Sequence, residues 1–178
     1  NHNHVISMLN RYLFSIKNYT YYRKDKKLTN DSKRYINYKF ILAILYHDII
    51  YDSSSSTNEE DSAALIDYLN LSSEDKKYVK DIILFTKYKE PTINRVHKKF
   101  LKLDFGILLD KNVDISELIN HEILIRKEYL QYDLNSFVGG RYYVLQNLCK
   151  LLSDSNIEYK NYGIEKLMIY IDFIITSN

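Results

Sequence analysis

Turn-forming residues are scarce in this chain, and their scarcity limits the folds that it can adopt. The 178 residues include only four glycines and one proline. A sandwich or barrel of many short strands needs more turn residues than this. The spacings among Gly106, Gly139, Gly140 and Gly163 match neither a Walker A loop nor a dinucleotide-binding fingerprint. The sequence therefore favours a helical fold without a glycine-rich nucleotide loop.

Apolar residues recur at helical spacing along most of the chain. Val5, Met8, Leu9 and Tyr12 fall on one face of a first helix. Residues 35–51 are apolar almost all round, which predicts a central buried helix. The prediction is one all-α domain over residues 1–178, folded as a bundle of roughly seven helices.

The other predicted elements follow from caps, breakers and polar runs. Residues 22–33 are polar and basic, and are predicted to form an exposed loop. Pro91 is expected near the first turn of a helix, and Gly139 with Gly140 is expected to break one. The remaining helices are predicted over residues 58–70, 72–85, 114–132 with Ser116 as cap, 141–152 and 162–175.

Charge and cysteine content exclude several classes of protein. Lys and Arg number 25 and Asp and Glu 23, so the net charge of +2 argues against a protein that coats nucleic acid. The basic residues 23–27 are accordingly predicted to be a solvated loop. The lone Cys149 excludes a disulfide framework and is typical of a reducing, cytoplasmic setting. The apolar run at residues 40–46 is too short to cross a membrane. Because the chain begins with Asn1 rather than Met, we expect upstream residues to be missing.

An adjacent histidine and aspartate, His47 and Asp48, end the most apolar segment of the chain. Burying both without partners costs several kcal/mol. A divalent metal satisfies both, because neutral imidazole and carboxylate are ordinary metal ligands. Neighbouring side chains are the alternative, and this dipeptide alone favours them.

Two further features point to a metal. His4, with His2 just before it, opens the first predicted helix and is able to face His47 from another helix. Asp104 lies in an apolar frame at residues 101–109, which is an unusual place for a carboxylate. Taken singly, each has a structural alternative: a frayed terminus for the histidines and a helix cap for Asp104.

In chain order, His4, His47-Asp48 and Asp104 resemble the H…HD…D pattern of the HD superfamily of metal-dependent phosphohydrolases. Members of the superfamily that bind two metals carry additional histidines between the His-Asp pair and the last Asp. Here His97 is the only histidine between Asp48 and Asp104, so the resemblance implies one metal rather than two. The sequence is also similar to a small branch of uncharacterised predicted HD phosphohydrolases, and the matching motifs cover most of the chain. They are Asn1 to Val5, His47 to Asp52, Asn58-Glu59-Glu60, Ser62-Ala63, Thr86-Lys87, Ile125-Arg126-x-Glu128-Tyr129 and Gly140-Arg141-x-x-Val144-Leu145.

This resemblance implies a set of site residues. One divalent ion (Mn, Fe, Co or Mg) would be held by His4, His47, Asp48 and Asp104. The expected catalytic carboxylates are Glu59, Glu60 and Asp52, of which Glu59 or Glu60 would orient water or protonate the leaving oxygen. The expected substrate-binding residues are Lys87, Arg126, Glu128, Tyr129 and Arg141. The structural alternatives are a helix N-terminus for Glu59 and Glu60 and surface salt bridges for Lys87, Arg126 and Arg141.

The resemblance also implies a function. The expected reaction is hydrolysis of a small phosphorylated substrate, foremost a nucleotide, by metal-activated water. Two alternatives stay open: a phosphodiesterase that degrades a cyclic or oligonucleotide signal, and a non-catalytic helical protein that binds a nucleotide on a degenerate HD site. No membrane partner and no stable nucleic-acid complex are expected.

Overall fold

The computed structural model describes residues 2–22, 30–88, 90–92, 94–159 and 162–176. Within these ranges the chain forms eight α-helices, one short 3₁₀ helix and no strand, so the all-α prediction is confirmed. The helices are α1 (His2–Tyr22), α2 (Asn30–Tyr46), α3 (Asn58–Ala64), the 3₁₀ helix (Leu65–Tyr68), α4 (Ser73–Tyr88), α5 (Arg95–Asp104), α6 (Ile115–Glu128), α7 (Leu134–Asp154) and α8 (Gly163–Thr176). The basic residues 23–27 lie outside the described ranges.

The contacts within the chain divide it into two compact units. The first unit contains Asn1–Lys89 and Lys99–Asp104, and the second contains Glu90–Lys98 and Phe105–Asn178. A single domain over residues 1–178 stays a prediction. No helix among the described residues has both the length and the hydropathy needed to span a bilayer.

In the first unit, an aromatic core joins three helices. The ring of Tyr12 on α1 lies 4.8 Å from that of Phe40 on α2, measured between centroids. The Phe40 ring in turn lies 5.8 Å from that of Phe100 on α5. All three side chains are buried, and each contributes about 1.5–3 kcal/mol by leaving water. This core fixes α1, α2 and α5 close to one another.

The central helix α2 has the 17 residues that its apolar sequence predicts, but it begins at Asn30, inside the predicted loop, rather than at residue 35. It ends at Tyr46 rather than at residue 51. The hydroxyl of Ser62 accepts a hydrogen bond from the amide of Ile50 over 3.1 Å, and this bond replaces a helical one. His47 and Asp48 therefore lie in the turn that follows α2, not inside the helix.

Side-chain caps set the starts of α4 and α5. Ser72 accepts from the amide of Asp75, so the predicted cap of α4 is confirmed. Asn94 accepts from the amide of Val96 and α5 begins at Arg95, so the placement of Pro91 in the first turn is wrong. The predicted helix over residues 58–70 is also wrong in part, because it changes to 3₁₀ geometry at Leu65.

In the second unit, α8 packs against both α6 and α7. Asp114, not Ser116, caps α6, because its carboxylate accepts from the amide of Ser116 over 2.7 Å. This correction reflects the stronger acceptor at the Asp114 position. Helix α6 ends at Glu128 rather than residue 132, and Arg126 bonds the carbonyls of the following turn.

The predicted break at Gly139 and Gly140 is wrong, because α7 runs through both glycines. Two glycines inside a helix cost about 2 kcal/mol relative to alanine. Asp133 offsets part of this by capping α7 through the amide of Ser136, and the buried leucines of the helix offset the rest. These leucines are Leu145, Leu148, Leu151 and Leu152. Arg141 thus lies within α7 and not at a helix start, where free amides would favour an anion.

Candidate metal centre

Three of the four predicted metal ligands lie together in the first unit. One ligand atom each from His4, His47 and Asp104 lies within 4.8 Å of the others. The Oδ1 atom of Asp104 is 3.0 Å from Nε2 of His4 and 3.9 Å from Nε2 of His47. The three residues come from α1, from the turn after α2 and from the last position of α5. The aromatic core described above holds these three elements together.

The hydrogen bonding of His47 leaves one ring nitrogen as an acceptor. Its Nδ1 donates to the carbonyl oxygen of Ile44 over 2.9 Å, so the proton of the neutral ring lies on Nδ1. The other nitrogen, Nε2, is buried and has no hydrogen-bond partner within the described ranges. A buried acceptor without a donor is costly, typically by about 1–3 kcal/mol. A cation at this point would satisfy it.

Two carboxylates face this nitrogen. The Oδ2 atom of Asp48 lies 3.3 Å from Nε2 of His47, and Oδ1 of Asp104 lies 3.9 Å away. A neutral imidazole nitrogen and a carboxylate oxygen are both acceptors, so they form no hydrogen bond unless a proton or another cation lies between them. These neighbouring acceptors therefore stabilise a proton or another cation between them.

The pKa values of His47 and Asp48 are shifted by the same charges. Burial by itself lowers the pKa of His47, but Asp48 and Asp104 raise it, and the net pKa lies above its ordinary value. Burial raises the pKa of Asp48, yet the neighbouring His47 ring, 3.3 Å away, brings it below the usual range. Each shift favours the charged form, and a bound cation in place of the extra proton would act in the same direction.

Asp48 differs from the other predicted ligands in its exposure. Its side chain is 38% exposed, against 2% for His47 and 13% for Asp104. It also lies outside the group whose ligand atoms are mutually close. The His4 side chain is 25% exposed, so the centre opens to solvent on the side of His4 and Asp48.

A loop and a short helix follow the His47-Asp48 turn. Asn58 accepts from the amide of Asp52 and donates to its carbonyl, which closes the loop between them. The Oδ1 atom of Asp52 accepts from both the amide and the hydroxyl of Ser54, over 2.8 and 2.6 Å. These bonds lower the pKa of Asp52. Asp52, which was predicted to be catalytic, therefore uses its carboxylate to stabilise the loop at Ser54.

Lys87 and the two glutamates of α3 have different environments. The ammonium of Lys87 bonds Glu60 and also donates to the carbonyl of Ser56 over 2.6 Å. The bond to Lys87 lowers the pKa of Glu60. Glu59 makes no hydrogen bond or ion pair to the described residues. It lies three positions before Ser62 and so shares the face of α3 that bonds the turn after His47.

The predicted phosphate-binding residues of the second unit are held by their own chain. The guanidinium of Arg141 forms two bonds to the carboxylate of Glu122, over 2.7 and 2.8 Å. Arg126 donates to the carbonyls of Tyr129 and Tyr132. Glu128 is the last residue of α6 and Tyr129 follows it. These four predicted residues belong to the second unit, whereas the metal group belongs to the first.

Three residues support the centre in roles that the sequence did not predict. The ring of Phe100 meets that of His47 edge-on, with centroids 5.4 Å apart, and forms an apolar wall. Phe100 is four positions before Asp104, so their shared helix face was a usable signal. Ser62 and Asn58 fix the backbone around the centre, and their partners across the loop have no sequence signature.

No family model, curated protein or solved structure matches this chain significantly. Membership of the HD superfamily therefore stays a prediction.

Proposed function

We propose that this chain is a metal-dependent phosphohydrolase that holds one divalent ion between His4, His47 and Asp104. The observation that supports the proposal best is the buried Nε2 atom of His47, an acceptor without a donor that faces two carboxylates. Metal-binding histidines commonly donate their other ring N–H to a backbone carbonyl, as His47 does to Ile44.

The donor set suits a borderline or hard metal. Two imidazole nitrogens and the Asp104 carboxylate, with Asp48 alongside, offer nitrogen and oxygen but no sulfur. This combination fits Mn²⁺, Fe²⁺, Co²⁺ or Mg²⁺ better than a metal that prefers thiolates. When bound, such an ion lowers the pKa of water and neutralises charge on a phosphoryl group.

The residues around the group have separate roles in the proposal. Phe100 excludes water from one side of His47, and the exposed side of His4 and Asp48 admits the phosphate of a substrate. Glu59, on the α3 face towards the turn after His47, gives or takes a proton. Lys87 holds Glu60 and the loop at Ser56 in position. The substrate class, a small phosphorylated molecule and foremost a nucleotide, follows from the resemblance to HD phosphohydrolases.

The proposal is tested by measuring metal content and turnover on the same preparations. The native chain should contain one divalent ion and hydrolyse at least one member of a panel of nucleotides and phosphate mono- and diesters. His47→Ala should lose both properties. The matched control is His121→Ala, because His121 is a half-buried histidine in the second unit. It should keep both.

Each other outcome rejects a defined part of the proposal. One metal per chain with no turnover of any ester would reject the hydrolase and favour a nucleotide-binding protein. Turnover of cyclic or oligonucleotides alone would favour the phosphodiesterase. A native protein that binds no divalent ion would reject the metal centre itself.

A further inference from the structure

A second concave site lies in the second unit, at the turn between α6 and α7. Its volume is about 290 Å³. It is lined by Tyr129, Tyr132, Ser136, Phe137, Gly140, Arg141 and Val144. The five residues from α7 recur at helical spacing and so form one stripe of that helix, which the two tyrosines of the turn face. None of these residues belongs to the metal group.

Aromatic rings dominate the walls of this pocket. The ring of Tyr129 lies 6.4 Å from that of Tyr132 and 6.3 Å from that of Phe137, between centroids. The interplanar angles are 33° and 41°. A further flat ring would contact these rings in offset or edge-to-face geometry. On Phe137 it would approach away from the face that the guanidinium of Arg126 covers, 5.2 Å from the ring centroid. The walls therefore favour an aromatic ligand.

The pocket also contains a hydrogen-bond donor with little net charge. Nε and Nη2 of Arg141 bond both oxygens of Glu122, which neutralises the guanidinium charge. Its Nη1 group has no hydrogen-bond partner among the described residues. An uncharged acceptor is suited to such a donor, whereas a phosphate would meet the negative charge of Glu122 nearby.

Gly140 provides the space for a ligand against the helix. A Cβ atom built at Gly140 meets nothing within 4 Å. The missing side chain exposes a strip of helix backbone between Phe137 and Val144, on which a flat group is able to lie. The volume is at the lower limit for small-molecule pockets, so it suits one ring or two fused rings.

We propose that this pocket binds a small, uncharged aromatic molecule with a hydrogen-bond acceptor on its edge, such as an aromatic amide. The ring stacks among Tyr129, Tyr132 and Phe137, and the acceptor meets the Nη1 group of Arg141. This inference is independent of the proposed hydrolase, because it uses no residue of the metal group.

Two amides of similar size test the class of ligand. Benzamide and cyclohexanecarboxamide carry the same acceptor and differ in the flat π face. Saturation-transfer NMR and a shift titration should give a Kd on the order of millimolar for benzamide, as expected for so few atoms. Cyclohexanecarboxamide should bind at least tenfold more weakly. Equal binding of the two amides, or no binding of benzamide, would overturn the proposal.

The two adjacent glycines of α7 provide a matched pair of variants. Gly140→Leu should fill the pocket and weaken benzamide binding at least tenfold. Gly139→Leu raises helix propensity equally, and its Cβ is equally free of neighbours, but Gly139 does not line the pocket. It should bind benzamide like the native chain. Equal affinities of the two variants would contradict the assignment.

Two further variants complete the test. Tyr132→Ala removes a half-exposed ring and should weaken benzamide binding while the helical circular dichroism stays native. This variant decides the question if Gly140→Leu does not fold. His47→Ala should leave benzamide binding unchanged, so failure of the metal centre and failure of this pocket are distinguishable. Native affinity in Tyr132→Ala would reject the role of that ring.

Discussion

His47 donates its Nδ1 proton to the carbonyl oxygen of Ile44 over 2.9 Å. The bond fixes the ring so that Nε2 faces Oδ1 of Asp104 at 3.9 Å, buried and without a hydrogen-bond partner among the described residues. One backbone contact thus determines both the tautomer of the neutral ring and the orientation of the nitrogen on which the proposed metal centre depends.

The two aspartates of the centre should differ in their effect on metal affinity. Asp104→Asn should abolish measurable binding, because the Asp104 side chain is only 13% exposed and lies close to both histidines. Asp48→Asn should weaken binding only about tenfold, the lower end of the range for residues that support ligands, because Asp48 is half exposed. Calorimetric titration with Mn²⁺ measures both. The opposite order would make Asp48 the principal ligand.

Metal affinity should fall with decreasing pH, and the fall should begin at a higher pH than the ordinary pKa of histidine predicts. Neutral imidazole binds a metal and imidazolium does not, and the pKa of His47 in the metal-free protein is raised. Affinity should therefore be full above that raised pKa and fall as pH drops through it, by about tenfold per pH unit for each proton displaced. The pKa of Asp48 is lowered, so Asp48 stays ionised throughout.

Titrations from pH 5.5 to 8.5 in buffers of different ionisation enthalpy check this dependence, because they also count the protons released. At least one proton should be released per metal below the raised pKa of His47. An affinity that stays constant across this range, with no proton release, would show that His47 is not a ligand.

Substitutions of the two glutamates of α3 should have different effects, one on turnover and the other on stability. Glu59→Gln should keep the metal and slow turnover about 10²–10⁴-fold, the range for loss of a general acid or base. Glu60→Gln should keep the metal and weaken the bond that Lys87 makes between α3, α4 and the loop. Its main effect should be a lower free energy of unfolding. Kinetics and urea unfolding of the two variants, run in parallel, distinguish them.

Much of the helical pattern was predictable from sequence, because amphipathic periodicity reports directly which residues are buried. His4, His47 and Asp104 were predictable as a group only through the resemblance to HD phosphohydrolases, because each residue taken singly has a structural alternative. The Asp52 turn had a usable signal as well, because an Asp two residues before a Ser favours a bond to the backbone amide. It was assigned to catalysis instead.

Other features depend on partners that are distant in sequence. The sequence next to Arg141 does not indicate that its guanidinium pairs with Glu122, which lies on another helix. The helix through Gly139 and Gly140 persists because of Asp133 at its start and the leucines it buries, and local propensity misses both. The end of α2 likewise depends on Ser62, a residue of the next helix. Sequence patterns report burial well and tertiary hydrogen bonds poorly.

Arg141 should be a stabilising residue rather than a phosphate ligand. Arg141→Ala should lower the free energy of unfolding by about 1–3 kcal/mol, because it leaves the part-buried carboxylate of Glu122 without its partner. Replacing both residues with leucine should lose much less, since no charge is then left alone. Urea unfolding measures both variants. Native stability of Arg141→Ala, with weaker binding of a phosphorylated substrate, would restore the phosphate-binding role.

The most direct test of the metal centre is the anomalous scattering of Mn²⁺ in crystals grown or soaked with the ion. One anomalous peak per chain should appear, about 2.0–2.3 Å from Nε2 of His47 and within reach of His4 and Asp104. His47→Ala crystals under the same conditions should lack the peak. A peak elsewhere in the native protein, or no peak at saturating Mn²⁺, would contradict the assignment of His4, His47 and Asp104 as the metal ligands.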